Sequence, residues 1–154
     1  MGAGELAEQA REALRLAEAR PAESAARSGL IARQARQEHD LAALSIAERA
    51  LGVAALQLED PDAALRHLRA AMRLGRQAGS AELAAEAQLR LAFALNVRGH
   101  GRRALREIEA ALASLTGVAR ARAQAQRAAI LNQLGRLDEA LPAVSYTHLT
   151  LPTN

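Results

Sequence analysis

An alanine-leucine step returns along this chain at nearly constant spacing. Three stretches resemble one another: Leu51-Gly52 through Ala63-Ala64-Leu65, Leu91-Ala92 through Arg103-Ala104-Leu105, and Ala128 through Glu139-Ala140-Leu141. Anchored on Ala64, Ala104 and Ala140, they repeat at 40 and 36 residues, and a weaker copy anchors on Ala25, 39 residues before Ala64. Periods of this length belong to helical solenoids. Each hairpin cannot bury its apolar face alone, so neighbours stack to complete a shared core. Composition agrees. Hydrophobic residues make up 50% of the 154-residue chain, yet there is one Phe, one Tyr and no Trp, so the core must be built from Ala and Leu. Both are strong helix formers, and nothing reads as an alternating strand.

Punctuation divides the chain into seven to eight helices. The first is expected from about Gly4 to Ala19, and Pro21 suits the first turn of a second that runs to about Glu38. Asp40 can cap a third helix that ends near Leu58. Glu59-Asp60-Pro61-Asp62 reads as a stop and a capped restart, opening a fourth helix that ends at Gly79. Ser80 caps a fifth that reaches about Arg98, and Gly99-His100-Gly101 forms a turn. The sixth reaches about Leu115 before Thr116-Gly117, the seventh ends at Gly135, and Leu137 opens an eighth that meets Pro142. Apolar residues recur at helical spacing, as in the stripe Leu65, Leu68, Ala71, Met72 and Gly75.

The segment Asn132-Gln133-Leu134-Gly135-Arg136-Leu137-Asp138-Glu139-Ala140-Leu141 resembles the tetratricopeptide repeat. That family places a small residue on the first helix of a hairpin, another twelve positions later, and a third seven beyond. Here these positions are held by Gly52, Ala64 and Ala71, by Ala92, Ala104 and Ala111, by Ala128 and Ala140, and by Ala13, Ala25 and Ala32. The pattern's large aromatics are replaced by Leu or Ala, and the repeats exceed the usual length, as in kinesin light chains and some bacterial regulators. The resemblance covers roughly Leu6 to Leu141. It implies an all-α fold, a right-handed α-α superhelix, over residues 1–141.

Residues 142–154 break with this texture. Val144 through Thr153 is rich in Thr and has no Arg, Glu or Ala, and it looks like a translated sequencing adapter. An artefactual or disordered tail is expected there, following a repeat domain whose natural continuation lies out of view. The N-terminal residues are charged every few positions, so no signal peptide is expected, and no run approaches the length of a membrane span. Gly2 lacks the Ser or Thr at the sixth position that myristoylation prefers, since Leu6 stands there. These features lead us to expect a cytoplasmic protein.

Chemistry is sparse. Without Cys there is no disulfide, thiolate nucleophile or cysteine-ligated metal. His39, His67, His100 and His148 show no ligand spacing, so no metal and no other cofactor is expected. The acidic groups at 59–62 and 138–139 fall at helix starts, where carboxylates offset the helix dipole, and not in a converging catalytic pair. Gly99-His100-Gly101 lacks the Lys and the preceding strand of a phosphate loop. No enzyme is expected. The net charge is +3 and every basic residue is Arg, interleaved with acid as in Glu8, Arg11, Glu12, Arg15 and Glu18. That is the pattern of a solvated helix face, so nucleic acid is an unfavoured partner.

Binding is the better reading. In tetratricopeptide repeats the first helix of each hairpin lines a concave groove. The resemblance places Arg49, Val53, Leu56 and Gln57 there, then Phe93, Asn96 and Val97, then Arg122, Asn132 and Gln133. Arg49, Gln57, Phe93, Asn96, Arg122 and Asn132 are the candidate site: amides to clamp a peptide backbone and guanidinium groups to hold a carboxylate. The Ala-, Arg- and Leu-rich texture from Glu48 through Leu65 is similar to repeat regions of actinobacterial CHAT-domain proteins, which join such repeats to a caspase-like cysteine protease. The expectation is therefore a protein- or peptide-binding scaffold, the sensor region of a larger bacterial protein whose effector domain would be a partner in cis. The alternatives are the arm of a transcriptional regulator and a free-standing helical adaptor.

Overall fold

The computed structural model describes Gly2 and residues 4–135, and all of the regular structure there is α-helix. The elements are α1 (Glu5–Leu16), α2 (Pro21–Gln37), α3 (Leu41–Gln57), α4 (Pro61–Gln77), α5 (Ala81–Val97), α6 (Gly101–Leu112) and α7 (Gly117–Gln133). The eighth helix expected from Leu137, the acidic pair 138–139 and the tail 142–154 lie outside the described residues.

Four of the joints share one design. At the ends of α2, α3, α4 and α5 a three-residue link both stops one helix and starts the next. Its middle residue is left-handed: His39 (φ 55°), Glu59 (φ 59°), Gly79 (φ 74°) and Gly99 (φ 84°). The residue after it donates its N–H to the carbonyl five positions back, as in Asp40 to Ala35 at 2.9 Å, Asp60 to Ala55 at 2.9 Å and His100 to Leu95 at 2.9 Å. This closes carbonyls that the helix end would leave open. Three of those residues then serve as caps. Asp40, Asp60 and Ser80 accept from the N–H of Ala43, Ala63 and Leu83. Links this short force consecutive helices to pack side by side and antiparallel.

The hairpins stack in two layers. Within the odd-numbered layer, α1 touches α3, α3 touches α5, and α5 touches α7. No two of the even-numbered helices α2, α4 and α6 bring any Cα pair within 8 Å. The stack is thus closed on one side and splayed on the other, which curves it toward the odd-numbered face.

Small residues permit the two layers to approach closely. A Cβ on Gly52 would lie 2.5 Å from Leu68 Cγ, so α3 and α4 meet at a distance only glycine tolerates. Ala64, Ala71, Ala92 and Ala104 are fully buried at matching positions. Gly75 does the same between successive hairpins, where a Cβ would lie 2.7 Å from the backbone nitrogen of Ala84 on α5. Two buried hydroxyls tie hairpins internally. Ser24 Oγ donates to the Ala13 carbonyl at 2.7 Å, and Ser45 Oγ donates to that of Ala71 at 2.8 Å.

Candidate binding groove

The concave side of the odd-numbered layer holds a cavity of about 660 Å³ to which α1, α3, α5 and α7 all contribute. Its apolar part is a ladder. Leu14, Val53 and Phe93 stand at one repeat position, 39 and 40 residues apart, on three successive inner helices. Val53 is buried, whereas Phe93 is 42% exposed. Leu89, one turn before Phe93, and Ala119 extend this surface.

The charged part is mostly self-compensated. Arg49 on α3 is ion-paired with Glu86 on α5, and both are largely shielded from solvent. Arg90 on α5 reaches Glu18, in the turn after α1, at 2.8 Å. Arg15 bonds Glu8 at 3.2 Å and lies 3.5 Å from Glu12. The hydrogen bond that Arg15 donates to Glu8, with Glu12 adding to it, holds the Arg15 guanidinium above its ordinary pKa. Arg122 on α7 is exposed and makes no ion pair with a described residue. Beside it, Gln126 lines the same cavity with a buried side-chain nitrogen that has no hydrogen-bond partner among the described residues. Among the described residues, the groove therefore offers one free guanidinium, one unpartnered amide donor and one exposed aromatic ring.

Of the six residues expected from the sequence, Arg49, Phe93 and Arg122 line this cavity. Gln57, Asn96 and Asn132 do not. They sit at or next to the C-terminal ends of α3, α5 and α7, past its rim. Asn96 is occupied there, donating from Nδ2 to Gln133 Oε1 at 3.1 Å and tying the ends of α5 and α7 together. Glu18, Glu86 and Arg90 escape sequence reasoning because each ion pair joins different hairpins; Arg90 and Glu18 are 72 residues apart.

A second polar layer is also absent from the sequence reading. Glu48 on α3 has a side chain only 6% exposed, held by Arg36 Nη2 at 2.9 Å and by His67 Nδ1 at 2.6 Å. One repeat later the same two positions carry Gln88 and Glu107, 3.3 Å apart. A signal existed: Gln9, Glu48, Gln88 and Gln124 each stand four residues before Ala13, Gly52, Ala92 and Ala128. Among the described residues no group of three or more His, Asp or Glu side chains could hold a metal ion, and no helix is long and apolar enough to cross a membrane. No protein-family model matches the chain, and no curated protein does.

Proposed function

We propose that the concave face binds an extended peptide segment of a partner protein, and that the chain is an interaction scaffold and not an enzyme. The observation that carries this reading is the juxtaposition of exposed Phe93 and uncompensated Arg122 in one cavity. An aromatic ring in a recess takes up an apolar side chain, and a guanidinium holds a carboxylate through paired hydrogen bonds. Gln126 adds a donor for a backbone carbonyl. Such binding needs neither metal nor cofactor. The repeat texture of the sequence supports a place as the regulatory region of a larger bacterial cytoplasmic protein, such as a CHAT-domain protease. There, peptide capture would set the state of an effector domain in cis.

The test is a display screen of random peptides against the chain, repeated with Phe93→Ala and Arg122→Glu. Enriched peptides should pair an apolar residue with a carboxylate. Each substitution should weaken them about tenfold or more, the loss typical of an anchor residue. If every enriched peptide bound both variants as tightly as the parent, the proposal would be overturned.

A further inference from the structure

The splayed face carries a different feature. Between α4 and α6 lies a recess of about 410 Å³, walled by Arg69, Arg73 and Arg76 on one side and Arg103 and Arg106 on the other. The three arginines on α4 are spaced by four and three residues, so they share one face along about 10 Å of helix. All five are exposed, and none makes an ion pair with a described residue. This contrasts with α1, where Arg11 and Arg15 are bridged to Glu8 and Glu12. The floor is apolar, formed by Met72 of α4 and by Leu91 and Leu95 of α5. Among the described residues that line it one is a carboxylate, Glu107, which accepts a hydrogen bond from Gln88.

We propose that this recess is a second binding surface, and that it takes an acidic peptide segment of a partner protein with apolar side chains between its carboxylates. Charge complementarity selects the acid: two rails of unpaired guanidinium groups, whose planar fork matches carboxylate geometry, face each other across the recess. The floor selects a peptide over a nucleic acid. Met72, half-buried, gives it thioether and methyl surface for aliphatic side chains above buried Leu91 and Leu95, whereas a single strand would stack its bases on aromatic rings, and none of the described residues lining the recess is aromatic. A duplex presents phosphates on a convex ridge and cannot follow cations into a recess this small. Glu107 sets register, since a carboxylate placed over it is repelled. The surface is independent of the concave groove, which lies on the opposite layer and uses Phe93 and Arg122.

Fluorescence anisotropy of the full chain tests this with three labelled probes: a Glu-Glu-Leu repeat peptide, its Gln-Gln-Leu counterpart and oligothymidine. The glutamate peptide should bind, more weakly as salt rises, and the glutamine peptide should not. Arg73→Gln with Arg103→Gln should weaken it about tenfold, from two exposed pairs at two- to fivefold each. Arg69→Gln with Arg106→Gln should do the same, Glu107→Gln should tighten it severalfold, and the arginine effects should persist in a Phe93→Ala, Arg122→Glu background, which removes the concave groove's own pull on apolar, acidic peptides. All of these side chains are exposed or half-buried, and circular dichroism verifies that each variant keeps its helix content. Unaltered affinity in both arginine pairs overturns the proposal, as does loss of all binding in the background that lacks Phe93 and Arg122. Tighter binding of oligothymidine than of the peptide would make the face a nucleic-acid surface instead.

Discussion

At the end of α3, Glu59 holds a left-handed backbone that its own side chain disfavours. The equivalent residues after α4 and α5 are Gly79 and Gly99, and Gly135 follows α7 in the same conformation (φ 75°). An L-residue there costs roughly 1 kcal/mol that glycine does not incur. Glu59 is exposed and its side chain bonds to none of the described residues, so none of them offsets that cost. Glu59→Gly should therefore stabilise the chain by about 0.5–1 kcal/mol, less than the full strain because glycine also frees the unfolded backbone. Glu59→Ala, which keeps the Cβ, should change little. Thermal melts of both decide it; equal midpoints for the two variants would mean that the conformation is not strained. The sequence announces a stop at 59–62 through its acids and proline, but not which residue bears the positive φ. Only comparison with Gly79 and Gly99 in the same register exposes it.

Helix existence was legible at nearly every element, because glycine, proline and capping residues act locally and their effects do not depend on the fold. Two helix ends were not. α1 closes at Leu16 and α6 at Leu112, each about three residues before the sequence suggests. Beyond each end one apolar residue, Ala17 or Leu115, still plugs into the core while Glu18, Ala19, Ala113 and Ser114 are exposed, so the apolar spacing in the sequence runs on past the point where the chain has turned. Glycine inside a helix poses the same difficulty: its meaning depends on a neighbour the sequence does not name. Three helical glycines separate the cases. Around Gly29 on α2 no atom would come within 4 Å of an added Cβ, so Gly29→Ala should gain about 0.5–1 kcal/mol from helix propensity. Gly52→Ala must displace Leu68, which is fully buried, and should lose about 1–2 kcal/mol net. Gly75→Ala meets backbone that moves only if a whole hairpin moves, and should lose about 2–3 kcal/mol. Urea titrations of the three give opposite signs on this account. A gain at Gly75 would show that the hairpins can slide apart at little cost. In the sequence Gly75 is one member of an apolar stripe; its contact is with the next hairpin.

Across the described residues, no two even-numbered helices bring a Cα pair within 8 Å, so contact between neighbouring hairpins is shared between the odd-numbered layer and the packing of each even helix on the next odd one. A solenoid's stability is close to a sum of repeat and nearest-neighbour terms, and contacts that span hairpins set how strongly neighbours are coupled. Two ion pairs on the concave face do this. Arg49–Glu86 joins the second hairpin to the third, with side chains 12% and 28% exposed, and Arg90–Glu18 joins the third to the turn of the first at 36% and 61%. Their surroundings give them different strengths. A shielded pair keeps its Coulomb attraction in salt and leaves a desolvated charge behind when one partner is removed, whereas an exposed pair is screened and spends side-chain entropy to form. Double-mutant cycles to alanine should return a coupling of about 1–2 kcal/mol for Arg49 with Glu86, nearly unchanged in high salt. For Arg90 with Glu18 the coupling should be below about 0.5 kcal/mol and vanish there. Equal couplings would mean that the concave face is wetter than its geometry implies. Arg49 would then be as free as Arg122 to meet a ligand, and the groove would carry two open cations where the present account leaves it one.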